Sequence, residues 1–443
     1  MNPSFHSRAL RAIALLATAA FLFVPRPAAA SDAPAPRDSS AAAEDSIAAV
    51  FDSLAAPHGA AADTGALRVH DAAAPDSVRD VDYLWVLRTA LVDRADIPRL
   101  VERAKAMHVR GLLVQVVGRG DAWYRSDLLP YPEPLREPGR DPLGELLPLA
   151  HAAGLEVHAW MNCCLVWSGT GPPRNPKHVI NAHPEWIARM TDGRPMTRLT
   201  PRARARLMVE GVFLSPGHPG VRHWIAGIAR EIATRYDVDG IHLDYIRQPS
   251  IGIGFDPTTR ARFALEHGAD PDPAVPGMPF HRLAPPERAA MDSAWGAFQQ
   301  EQVTAIVREV RDTLAAVRPG LPLSAAVLAD TLTAVRRNRQ AWSEWLRDGL
   351  LDRAYAMCYA PLVQTVVSQL AAMATQVGTA RLVPGIAIYN TSPATAAAKI
   401  KAARALGFTA IALYSYDSLW ERADLWARLR TYLNGPRTLE DSP

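Results

Sequence analysis

A (β/α)8 barrel is the fold class this chain predicts, on three observations. Strand-like and helix-like stretches alternate eight times between Val81 and Leu433. No glycine-rich phosphate turn follows the first strand, which argues against a doubly wound open sheet. The strand Ile241-His-Leu-Asp244 carries two ionisable side chains on one face at its C-terminal end. Strands buried in parallel sheets are normally runs of Val, Ile and Leu, and barrel enzymes keep their active sites at this end.

The first strand is read over Tyr83–Thr89, and a helix over Ile97–Met107 with Asp96 as its cap. Gly111–Val117 is the second strand and Leu143–Ala153 the second helix. Leu155–Met161 is the third strand. A long connection follows, with turn signals at Gly169–Pro173 and Asp192-Gly193. Pro219–Tyr236 is the third helix, and Asp239-Gly240 turns the chain into the fourth strand. A second long connection, rich in Pro and Gly, runs from Gln248 to Pro286. The helix Met291–Val317 ends at Pro319-Gly320. Strands Leu323–Ala329, Ala354–Tyr359, Leu382–Tyr389 and Thr409–Tyr416 then alternate with helices Arg339–Leu346, Val363–Val377, Pro393–Leu406 and Trp420–Leu433. The long connections after strands 3 and 4 fall on the C-terminal face, where loops build substrate clefts.

Residues 80–435 are therefore read as the barrel and 436–443 as a tail. His6, Arg8 and Arg11 precede an apolar stretch over residues 12–24 that is too short to span a bilayer, and Ala28-Ala29-Ala30 offers a cleavage site. Residues 1–30 are thus expected to be a signal peptide, and the mature protein to be periplasmic or extracellular. Residues 31–79, rich in Ala, Pro, Asp and Ser, read as a disordered linker. No later run is long and apolar enough to suggest a membrane span after signal cleavage. A net charge of +3 over 443 residues, with no long basic run, argues against nucleic acid as a partner. Composition with 49% hydrophobic and 21% charged residues suits a sizeable core. Cys163, Cys164 and Cys358 match neither a disulfide framework nor zinc spacing, and read as small buried hydrophobes.

If the barrel closes, its strand ends bring Arg88, Gln115, His158, Trp160, Asn162, His242, Asp244, Asp330, Tyr359, Tyr389, Asn390, Tyr414, Tyr416 and Asp417 to one mouth. Trp123, Tyr124 and Trp167 would join from loops. Aromatic platforms with amide and carboxylate groups suit sugar rings, which offer apolar faces and hydroxyl edges. Glycoside cleavage ordinarily takes two carboxyl groups, one protonated and one ionised. Asp244 is the expected nucleophile or base, held ionised by Arg247 and His242. Asp330 is the preferred acid and Asp417 the reserve, although Asp330 would equally cap the next helix. Arg88, Gln115, Trp160, Asn162, His242, Arg247, Tyr359, Tyr416 and Asp417 are expected to bind substrate. His158, His242 and Asp244 form no closely spaced ligand pair, so neither metal nor cofactor is expected.

Several stretches together resemble the glycosyl hydrolase-like 10 family. They are Leu112–Ser126, Ala150–Asn162, His183-Pro-Glu-Trp186, Leu214–Arg222, Tyr236–Pro249 and Ala356–Tyr359, in matching order. The resemblance implies a TIM barrel and a glycoside hydrolase acting on envelope polysaccharide, with peptidoglycan glycan strands within that class. It places the strand-4 acid on Asp244. This chain departs from the family pattern at Tyr245, where many relatives carry a second acid, and at Ser215, where Asp or Asn is common.

Overall fold

The alternation closes into a barrel of eight parallel strands. In order they are β1 Tyr83–Val86, β2 Gly111–Val117, β3 Glu156–Asn162, β4 Gly240–Asp244, β5 Leu323–Leu328, β6 Arg353–Cys358, β7 Leu382–Ala387 and β8 Ala412–Tyr414. Each pairs with its sequence neighbour, and β1 pairs with β8 to seal the ring. The structure is a computed structural model that describes residues 79–169, 171–271, 283–422 and 424–434. The expected signal peptide, nearly all of the linker and the tail lie outside the described residues. Among those described, no helix is long and apolar enough to cross a membrane.

Alternation along each strand builds two shells. Outward side chains such as Leu84, Leu112, Val157, Ile241, Leu323, Ala354, Leu382 and Leu413 pack under the helices. The helices laid on them include α1 Asp96–Ala106, α2 Pro142–Ala152, α3 Pro219–Arg235, α4 Pro285–Val317, α5 Trp342–Arg347, α6 Val363–Val377, α7 Pro393–Ala405 and α8 Leu425–Asn434. Inward side chains Tyr83, Trp85, Leu113, Trp160, Tyr355, Val383 and Ala412 fill the lumen. Trp85 fits because Gly385 faces it, where a Cβ would come within 2.5 Å of the indole. Gly240 likewise makes room for His158, whose ring would lie 2.3 Å from an added Cβ.

The observed elements depart from the sequence reading in several places. Strand 1 ends at Val86, strand 8 is cut to Ala412–Tyr414, and the second long connection holds a helix over Pro257–His267. Asp96 starts α1 but does not cap it, since Ala95 is the N-cap and makes no side-chain bond. The expected helix over Arg339–Leu346 starts later, as α5, and a further short helix, Thr331–Arg336, precedes it. Within the connection after β3, Leu165–Trp167 pairs antiparallel with Val212–Phe213. Segments of three and two residues are too short for periodicity to reveal.

Candidate active site

The connections after β3 and β4 are zipped together at the C-terminal mouth. Cys163 N donates to Asp244 O at 2.8 Å, Cys164 N to Tyr245 O at 3.3 Å, and Leu214 N to Cys164 O at 2.8 Å. Tyr245 adopts a left-handed φ of 51°, sparsely populated by residues with a Cβ, and this turns its N–H back onto Asp244 Oδ1 at 2.6 Å. Trp160 Nε1 donates to Asp244 Oδ2 at 3.1 Å and shares the proton with Asn162 Oδ1 at 3.1 Å. Asn162 is held in turn by Gln115 Nε2 at 3.3 Å and donates to Gly118 O at 2.8 Å. Arg88 Nη1 donates to Gln115 Oε1 at 2.6 Å. A single network therefore runs from Arg88 through Gln115, Asn162 and Trp160 to Asp244, and fixes the acid from two sides.

Across from it, Tyr359, Tyr389 and Tyr414 form an aromatic wall, with Tyr359 and Tyr414 ring centroids 5.2 Å apart and Tyr389 6.0 Å from Tyr414. Burial keeps these phenols protonated, with Tyr389 pushed up to about 12 and the other two also raised. They are neutral hydrogen-bonding groups on half-buried rings, suited to hydroxyl edges and apolar faces alike.

Asp244 is only 6% exposed. Burial raises its carboxyl to about 6, against the lowering pull of Arg247, the Tyr245 N–H and the Trp160 N–H, while Glu210 adds to the rise. The expected assistance from His242 is absent. That ring is fully buried, accepts from Trp85 Nε1 at 3.1 Å through Nε2 and meets Ser324 Oγ at 3.0 Å through Nδ1. Burial, with His158 nearby, lowers its pKa well below the usual value and keeps it neutral.

The remaining candidates divide. Arg247 donates to Glu210 Oε1 at 3.1 Å, a partner that lies off the barrel strands and that strand-end reasoning missed. Asp330 is exposed and caps helix Thr331–Arg336 by accepting from Thr333 N at 2.7 Å, so the preferred acid is engaged as a cap. Asp417, with its carboxyl raised to about 6 chiefly by burial, accepts from Leu87 N at 3.1 Å and Thr89 Oγ1 at 3.2 Å, tying β8 to the end of β1. Tyr416 is engaged elsewhere: its hydroxyl accepts from Arg103 of α1 at 3.1 Å, away from the Asp244 network. Trp123 and Tyr124 are core residues too, Tyr124 donating to Glu231 Oε2 of α3 at 3.1 Å. Trp167 is half-buried beside Arg119, at 6.0 Å. Ser215 donates to Asp256 in a buried cluster with Thr259, a packing role. His158 contacts Glu156 at the opposite end of β3, and among the described residues no group of His, Cys, Asp and Glu gathers as a metal site.

Comparison with known proteins agrees with the barrel fold. The chain is 24% identical over 342 residues to glycosyl hydrolase DigH of Escherichia coli K12, a match covering 69% of this chain and 66% of that protein. It thus spans a little under two thirds of the relative's length. Glycosyl hydrolase YngK of Bacillus subtilis is 26% identical over 153 residues, covering 33% of this chain and 26% of that one. Among solved structures, the PgaB (BpsB) glycoside hydrolase domain from Bordetella bronchiseptica superposes with a TM-score of 0.59 at 18% identity, covering 80% of this chain and 99% of that one. A β-galactosidase from G. stearothermophilus gives 0.55 at 13% identity, covering 80% and 56%. These likenesses support the fold. Residues 77–401 match the glycosyl hydrolase-like 10 family, and the chain belongs to it.

Proposed function

We propose that this protein is an exported glycoside hydrolase acting on cell-envelope or extracellular polysaccharide, with peptidoglycan glycan strands the first substrate to test. The observation that carries the reading is Asp244: a carboxyl buried at the mouth of the barrel, oriented by Trp160 and the Tyr245 N–H, with its pKa raised to about 6. Family membership and the tyrosine wall support a carbohydrate ligand. Export rests on the N-terminal sequence pattern alone.

The role of Asp244 follows from its surroundings. The sequence favours an ionised nucleophile or base, whereas burial favours the protonated form. A carboxyl that titrates near 6 suits proton delivery to a departing glycosidic oxygen. Arg88, Gln115, Asn162 and the tyrosines would then position the sugar. A second reading, a glycan-binding barrel without hydrolysis, is favoured by Tyr245, which stands where many relatives carry another acid. Incubation with glycan strands stripped of stem peptides separates the two. Hydrolysis yields new reducing ends that Asp244→Asn abolishes; saturable binding with no new ends establishes the binding module.

A further inference from the structure

We propose that Glu210 is the second carboxyl of the reaction centre, the partner that takes a proton from the attacking water. This rests on the hydrolase reading above and extends it. Glu210 comes from the connection after β3, where the chain runs flush along the outer strand pair. Gly211 permits this, since a Cβ there would lie 2.0 Å from Trp167 O. The approach fixes where the preceding residue emerges. Glu210 Oε1 takes a hydrogen bond from Arg247 Nη2 at 3.1 Å, and 20% of its side chain stays exposed, so water reaches it. Arg247 follows Asp244 closely in the chain, is buried, and lies 4.5 Å from the Tyr245 ring. Its charge acts on Glu210 and, less strongly, on Asp244, and among the described residues its buried Nη1 has no hydrogen-bond partner.

The charged and titratable groups acting on Asp244 are Arg247 and Glu210, with Cys163, Tyr245, Tyr359 and Tyr414 beside it. Arg337 senses both Glu210 and Arg247 from the β5 side. Of the neighbours named, Glu210 is the one other carboxyl, and it carries a charge-assisted hydrogen bond from a guanidinium while part of its side chain stays open to water. In the reaction, Asp244 gives its proton to the leaving oxygen as the C1–O bond breaks. Glu210 takes a proton from water as the water oxygen bonds to C1. One water is consumed, Asp244 ends ionised, Glu210 ends protonated, and exchange with solvent restores both. Attack by water from the face opposite the leaving group inverts the anomeric centre.

The test pairs turnover with a titration that needs no substrate. Glu210→Gln keeps an acceptor for Arg247 and removes the charge. On stem-peptide-free glycan strands it should lower turnover by about 10²- to 10⁴-fold, and NMR of the wild-type product should show inversion. In carboxyl-labelled protein, E210Q should move the Asp244 titration downward, because a neighbouring negative charge has gone. If E210Q folds poorly, Glu210→Asp, which keeps the charge and withdraws it from the water, should show the turnover loss. Full turnover in E210Q with D244N inactive, a retained anomeric centre, or an unmoved Asp244 titration overturns the assignment of Glu210 and leaves the hydrolase standing. Full turnover in both variants, or no new reducing ends from wild type, overturns the hydrolase reading and this step with it.

Discussion

Glu156 and Asp244 are carboxyls at opposite ends of the same barrel, and burial is the largest influence on both. At Glu156 that upward push is outweighed by the His158 bond and charge, by Arg110 and by the Tyr83 hydroxyl, so its pKa falls. At Asp244, more deeply buried and beside Glu210, the pull of Arg247 and of the Tyr245 and Trp160 N–H groups does not outweigh burial, and the pKa rises to about 6. The same contrast holds around them. At the N-terminal end, Asp82 Oδ2 accepts from Arg404 and from Ile411 N, both at 2.8 Å. Tyr83 OH donates to Glu156 at 3.2 Å and accepts from Arg353 Nη1 at 3.0 Å. Glu156 is held ionised, and the carboxyl of Asp82 is bonded, by groups the protein itself supplies, which is the mark of structure. An acid whose partners do not outweigh its burial has stability withheld from it, and at the mouth of a barrel that points to a site.

Substitutions at the two ends should therefore differ in kind. The largest effect is expected from Asp244→Asn, which should lower turnover by at least about 10³-fold and raise stability at neutral pH. The sign follows from linkage. A carboxyl raised from 3.8 to about 6 stabilises the fold fully below 3.8, and that contribution is lost as pH rises through 6. The loss amounts to about 3 kcal/mol, so D244N should melt a few degrees higher at pH 7 and gain little at pH 4. An unchanged or lower melting temperature at pH 7 would remove the claim that Asp244 is strained. Asp82→Ala should do the reverse, costing about 3 kcal/mol by removing the carboxyl that Arg404 and Ile411 N share, while kcat per folded molecule stays at the wild-type level. Loss of kcat in that variant would erase the distinction between the ends.

Smaller effects sharpen the same contrast. Asn162→Ala loosens Trp160 and should lower kcat about tenfold with KM little changed; a pure KM effect would make Asn162 a sugar contact instead. Glu156→Gln should act on stability with the opposite pH sign to D244N. Its lowered pKa means the contribution is present above the unfolded value and lost as pH falls through the folded one. Acid-melting curves of the two variants should shift in opposite directions. Tyr416→Phe should leave turnover within about twofold and cost about 1 kcal/mol for the lost Arg103 bond; a large loss of activity would return Tyr416 to the cleft.

The fold was legible because strand and helix periods differ, and because eight repeats of that difference leave few topologies. Asp244, Trp160, Asn162, Gln115, Arg88 and Tyr359 were legible by a single rule, that inward side chains at strand C-termini converge. The same rule misled at Tyr416 and Asp330, which lie past their strands, where the chain has already turned outward into a helix. A residue or two of overrun reverses the direction of a side chain, and sequence alone places strand ends no better. Glu210 was invisible for another reason: it lies far along a loop and reaches the site through the pairing of two connections. The sign of the Asp244 shift was hidden as well. Arg247 is adjacent in sequence and suggests a low pKa, whereas burial and Glu210 depend on the folded chain.

The most direct test of a buried, proton-holding Asp244 is the pH dependence of kcat/KM on stem-peptide-free glycan strands. Activity should fall as pH rises past about 6, where Asp244 loses its proton, and that limb should vanish from the residual activity of D244N. Activity that climbs through pH 6 to a plateau would show that the ionised form does the work, and would contradict the account.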